Sequence, residues 1–100
     1  MFGVIVTIGP GEGLDRQRAK AAAEKAVPMF EGMDGLASKV FMWDDETGTV
    51  INTYVWDSEE AARAFFTPEI KALVVEHYGV EPQVRFTEVT ALVDNRVGVG

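Results

Sequence analysis

Apolar positions along the first half of the chain change period twice. "FGVIVTI" (2–8) is a short β-branched run closed by "GPGEG", the pattern of a strand and a loop. In "LDRQRAKAAAEKAVPMFEGM" the apolar side chains Ala19, Ala22, Ala23, Ala26, Val27 and Phe30 recur at helical spacing, with charges around the rest of the cylinder. Pro28 lacks an N–H, so the helix is expected to kink or end near Val27. "LASKVFMWD" (36–44) and "TVINTYVW" (49–56) read as two strands of a hairpin, joined through the turn residues of "DETG".

"DSEE" reads as a capping box, with Asp57 as N-cap and Glu60 reaching back, ahead of a helix through "AARAFF". Thr67 and Pro68 form a second cap, opening "PEIKALVVEHY", which Gly79 stops. Pro82 leads into a last strand, 83–94, and "NRVGVG" (95–100) reads as a tail. The order β-α-β-β-α-β predicts one α+β domain over 1–100, a ferredoxin-like four-stranded antiparallel sheet with its helices on one face. The other face of such a sheet is usually polar. Here Ile5, or Val40 and Met42 against Phe41 and Trp43, put apolar side chains on both sides. A patch of that kind marks an interface, so a homodimer with sheets packed face to face is expected.

Composition narrows the function classes. The 100 residues are 47% hydrophobic and 25% charged, with a net charge of −7 and no cysteine. Nine scattered basic residues do not make a phosphate-binding surface, which argues against nucleic acid and anionic membrane as partners. Without cysteine there is no disulfide framework, thiolate nucleophile or Cys-ligated metal. The N-terminal run lacks a basic flank and a small-residue cleavage pattern, so it reads as a strand rather than a signal, and a cytoplasmic location is expected.

Local motifs add little by themselves. "GPGEG" fails the dinucleotide fingerprint because Leu14 stands where glycine is needed, and Glu12 would repel a phosphate. The acids of "DDETG" lack the alternating spacing of a calcium loop and read as a turn, so no metal is expected. The alanine stripe reads as a close-packing helix face that could also leave room for a ligand. His77 could act as a general base, but just ahead of Gly79 it also suits a helix C-terminus; Tyr78 reads as an anchor for that helix end. Arg85 and Lys39 could meet a phenolate or carboxylate, although an ion pair with one of sixteen acids is the plainer reading of each.

One strand face carries more chemistry. Asn52, Tyr54 and Trp56 alternate along residues 49–56, with Asn52 and Trp56 ~13 Å apart at ~3.3 Å per residue. Through "GLASKVFMWDD", "GTVINTYVWDSEEAARAFF" and "FTEVTALVDN", the chain over residues 2–94 resembles the dimeric α+β barrel superfamily. More narrowly, it looks like the antibiotic-biosynthesis mono-oxygenase group and its uncharacterised relatives. The resemblance implies a cofactor-independent mono-oxygenase of secondary metabolism. Its substrate would be an aromatic or polyketide-type small molecule, with dioxygen as co-substrate.

On that resemblance Asn52 would stabilise developing negative charge and Trp56 would stack on the substrate, with His77 as a further catalytic candidate. Tyr54, Phe65, Arg85 and Trp43 would bind substrate. The haem-degrading branch of the superfamily places a histidine on the helix just after the Trp strand. Here that helix offers Phe65 and Phe66, which argues against haem. A non-oxidative cyclase or isomerase on the same scaffold, and a non-catalytic ligand-binding or dimerisation module, remain open readings.

Overall fold

A computed structural model of the chain describes residues 1–96. In chain order the elements are β1 (Phe2–Ile8), α1 (Arg16–Phe30), β2 (Leu36–Asp44), β3 (Thr49–Trp56), α2 (Glu59–Phe65), α3 (Pro68–Tyr78) and β4 (Pro82–Glu88). The strands form one antiparallel sheet in the order β2-β3-β1-β4. This is the expected ferredoxin-like α+β arrangement, with the second helical stretch divided into α2 and α3 by Thr67 and Pro68.

Register decides which side chains meet the helices. Ile8 faces Val50, Val6 faces Asn52, Val4 faces Tyr54 and Phe2 faces Trp56. Directly opposed residues share a face, so these pairs form a continuous inner surface, and most of them are buried. Ala19 from α1, Ala62 from α2 and Tyr78 from α3 close over it. The outer surface carries Ile5, Thr53 and Val40 in one row and Ile51 and Met42 in the next. Val40 and Met42 remain 49% and 43% exposed.

Three boundaries differ from the sequence reading, each for an identifiable reason. Helix α1 continues past Val27 to Phe30, and the Glu31 amide still donates to the Val27 carbonyl at 3.1 Å. Pro28 lies in the last turn, where only the carbonyl of exposed Glu24 loses its partner and water can replace it. The N-cap of α2 is Ser58 rather than Asp57: the Ser58 hydroxyl accepts from the Ala61 amide at 3.1 Å. Asp57 is committed elsewhere, its amide donating to the Gly35 carbonyl at 2.9 Å across the sheet end.

Strand β4 stops at Glu88 instead of reaching residue 94, because Glu88 pairs with Phe2, the first residue of β1. Beyond it no partner strand remains, and Val89–Asp94 runs on without a ladder. Of the predicted tail, residues 95–96 form a turn and residues 97–100 lie outside the described part. The caps at the two ends of α3 are as expected. The Thr67 hydroxyl accepts from the Ile70 amide at 3.2 Å, and Gly79 takes φ 78°, a left-handed conformation that glycine adopts without strain. Among the described residues no helix is long and apolar enough to cross a membrane.

Candidate functional site

Helices α1 and α3 lie over the sheet without filling the space beneath them. The alanine stripe is the cause: Ala22 and Ala26 present only methyl groups where larger residues would reach the strands. The result is a cavity of about 200 Å³ between α1, α3 and the inner sheet face. Its walls are mainly apolar and aromatic, as small-molecule pockets usually are. Phe30, Phe41, Tyr54, Phe65 and Phe66 supply the rings. A second hollow of about 270 Å³ lies along the N-terminal half of α1 and shares Phe41, Asn52 and Tyr78 with the first.

Asn52 stands where the two meet. It is 3% exposed, and its Oδ1 has no hydrogen-bond partner. A buried acceptor left unpaired costs ~1–3 kcal/mol, so this atom is a place where a ligand donor would be stabilising. Tyr78, from the last turn of α3, is also buried here. Burial raises its phenol above the ordinary value, and the Asn52 amide beside it pulls the other way. Burial, reinforced by Tyr78, likewise raises the Tyr54 phenol. Both tyrosines are therefore neutral hydroxyls at physiological pH rather than bases.

Four of the sequence candidates come together at the cavity wall: Asn52, Tyr54, Phe65 and His77. His77 lies on the exposed side of α3, and its backbone carbonyl accepts from the Arg18 Nε at 3.2 Å, which fastens the end of α3 to α1. Three candidates stand elsewhere. Trp56 shares the inner face with Asn52 but is 2% exposed and sits behind Tyr54, ring stacked on ring at 6.1 Å and 11°. Phe65 packs against the indole at 5.2 Å and against Tyr54 at 6.2 Å, so the indole supports the cavity wall without forming its surface, and its Nε1 is unpaired.

Trp43 lines the second hollow, its indole donating to Asp45 Oδ1 at 3.1 Å. That bond first, and then the Arg16 charge at 3.2 Å, hold the Asp45 carboxyl below its ordinary value. Arg85 pairs with Ile5 and points to the outer face, away from the cavity. The alternation Val84-Arg85-Phe86 already separates it from its apolar neighbours, and that signal was available in the sequence.

Lys39 departs most from the plain reading of the sequence. The expected ion pair is absent: among the described residues its ammonium meets no carboxylate. Its Nζ lies 3.4 Å from the Phe30 ring centroid, 4.2 Å from Phe41 and 4.3 Å from Tyr54. Burial draws its pKa from 10.5 down to about 7, while the electron-rich ring faces favour the cation. Lys39 thus brings a titratable nitrogen to the cavity. Its parity with Phe41 and Trp43 was legible in the strand, whereas its lack of an acidic partner depends on the tertiary fold.

Comparison with known proteins puts this geometry in context. No family model matches the sequence, and no curated protein matches it. Solved structures do match. The NE2512 protein of unknown function from Nitrosomonas europaea superposes with a TM-score of 0.73 at 14% identity, over 93% of this chain and 92% of that one. A mono-oxygenase from the gene ActVA-Orf6 of Streptomyces coelicolor, in complex with the ligand nanaomycin D, gives 0.67 at 20% identity, over 93% and 90%. SnoaB, a cofactor-independent oxygenase from Streptomyces nogalater, gives 0.66 at 8% identity, over 94% and 97%. The chain has the α+β fold of the antibiotic-biosynthesis mono-oxygenase-like proteins.

Proposed function

We propose that the chain is a mono-oxygenase-like enzyme. It would bind an aromatic or polyketide-type small molecule between α1, α3 and the sheet and bring it to react with dioxygen without a cofactor. The unpaired Oδ1 of Asn52, buried in an aromatic-walled cavity, carries this reading. The solved mono-oxygenase bound to nanaomycin D and the cofactor-independent oxygenase, both of the same fold, support it.

In this mechanism Tyr54 and Phe65 flank the substrate ring, and Trp56 holds Tyr54 in place from behind. Asn52 accepts a hydrogen bond from a substrate hydroxyl and so fixes the ring's orientation. His77, at the rim, takes a proton from the substrate as general base. The resulting anion is electron-rich enough to reduce dioxygen itself. One oxygen atom enters the product and the other leaves as water, with both electrons drawn from the substrate, so the balance needs no flavin or metal. Arg85 and Trp43 take no part.

The outer sheet face, with Val40, Met42 and Ile51, is the proposed contact with a second copy of the chain. A light-scattering mass of one chain at micromolar concentration would refute that contact. For the chemistry, the test is oxygen uptake with an anthrone as substrate and no added cofactor. Uptake should match product formation one to one, and Asn52→Ala should slow it by about tenfold, the scale of one lost neutral hydrogen bond. Turnover that continues without oxygen would refute the oxidative reading and favour a cyclase or isomerase.

A further inference from the structure

The cavity has a charge pattern opposite to that of the whole molecule. The chain carries sixteen acids and a net charge of −7, yet no Asp or Glu lines this cavity. Three of its four lysines do, Lys25 from α1, Lys39 from β2 and Lys71 from α3, together with His77. Lysines on an acidic protein ordinarily pair with its abundant carboxylates. Among the described residues none of the four does, and the Lys39 ammonium lies over three ring faces without a side-chain hydrogen bond.

From this arrangement we infer that the cavity takes a flat aromatic ligand bearing one oxyanion, and that Lys39 is the residue that holds that oxygen. The inference rests on the cavity being the ligand site proposed above, and it deepens that reading by naming the ligand's charge. The rings that surround Lys39 provide faces for the ligand's own ring beside its anionic edge. Lys25 and Lys71 add positive potential from the two helices, which makes a ligand anion cheaper to desolvate than a cation. An ammonium facing a carboxylate or enolate makes a charge-assisted hydrogen bond, stronger than one between neutral groups.

A proton accompanies the anion. The titratable groups around Lys39 are Tyr54 on β3, Lys25 on α1, and Lys71, His77 and Tyr78 on α3; α2, β1 and β4 contribute none to the cavity wall. Burial draws its pKa well below that of an ordinary lysine, so at pH 8 a share of the free amine is neutral. Pairing with an oxyanion raises that pKa again, so binding at pH 8 draws a proton from solution.

The test is calorimetry on the full chain with two pairs of two-ring probes. One pair is 2-naphthoate and its neutral isostere 2-naphthamide. The other is 2-hydroxy-1,4-naphthoquinone, which is ionised at pH 8, and its methyl ether. The wild type should prefer the anion of at least one pair by about tenfold, as a charge-assisted hydrogen bond provides. Which pair responds tells a carboxylate site from an enolate site. Buffers of different ionisation heat should show proton uptake with that anion.

In Lys39→Met, which keeps the length and apolar stem, the preference should fall below about threefold, with binding of the neutral probe nearly unchanged. Binding without anion preference or proton uptake in the wild type overturns the inference and leaves the cavity as a neutral-ligand site. A preference that survives Lys39→Met overturns the assignment to Lys39. Failure of all four probes to bind refutes the ligand site itself. The proton-uptake arm needs only the wild type, so it decides even if the variant folds poorly.

Discussion

Lys39 makes the stability of this protein depend on pH in an unusual direction. In the unfolded chain its pKa is the ordinary 10.5, and in the native state burial lowers it to about 7. Between those values the unfolded state binds more protons than the native state, so stability rises with pH across the window. Below about pH 7 both states are charged and the native state carries the full desolvation penalty. Above about 10.5 both are neutral and the penalty vanishes.

At ~1.4 kcal/mol per pKa unit, the displacement corresponds to an upper bound of ~5 kcal/mol. Attraction to the three ring faces offsets ~1–2 kcal/mol of it, leaving about 3 kcal/mol. Lys39→Met removes the charge and keeps the packing against Phe30 and Phe41. Urea unfolding of both proteins at pH 6, 8 and 10 measures the difference, and changes in other groups common to both cancel. The variant should be the more stable by about 3 kcal/mol at pH 6, with the gap closing as pH rises towards 10. A gap that is constant with pH, or a variant that is less stable at pH 6, refutes the reasoning.

Other substitutions test separate parts of the account. Ser58→Ala should cost ~1 kcal/mol, the usual worth of an N-cap hydroxyl, while Asp57→Ala should cost less than half as much; the reverse order in thermal unfolding would restore Asp57 as the cap. Trp56→Ala should destabilise by ~3–5 kcal/mol through the cavity it leaves. Trp56→Phe should cost much less, because it also removes a buried, unpaired indole N–H. If Trp56→Phe abolishes activity without altering stability, the indole acts on substrate after all. Gly79→Ala forces a side chain into φ 78° beside the Arg18 guanidinium and should lower stability by ~1 kcal/mol.

Most of the fold was legible because period and punctuation agreed. β-branched runs, the Thr67-Pro68 cap and the Gly79 stop each combined a local preference with its tertiary role. The boundaries that moved did so where a distant partner decided. β4 was read too long because its apolar residues continue after β1 has nothing left to pair. Asp57 was read as a cap because its competing bond to Gly35 comes from another part of the chain. Within the site, strand parity put Asn52 and Tyr54 on one face of β3, and Lys39 with Phe41 and Trp43 on one face of β2; the register that joins the two faces comes from the fold. Parity also grouped Trp56 with Asn52 and Tyr54, since it cannot tell which of several aligned side chains is walled off by helices arriving later in the sequence. Lys25 and Lys71 were hidden for a related reason: on an isolated helix a lysine looks like a solvent contact, and only the packing of α1 against α3 turns both towards one space.

The stacking of Tyr54 on Trp56 also gives the protein a built-in optical reporter. Two nearly parallel chromophores 6.1 Å apart couple their electronic transitions, producing a near-ultraviolet circular dichroism signal that neither ring would give alone. Light absorbed by Tyr54 passes to Trp56 at that spacing and leaves as indole emission. One face of this pair is the cavity wall and the other is sealed core, so a bound molecule perturbs the donor without touching the acceptor. Occupancy of the cavity can therefore be followed in the unlabelled protein, by excitation at the tyrosine band and emission from tryptophan, whatever the ligand proves to be.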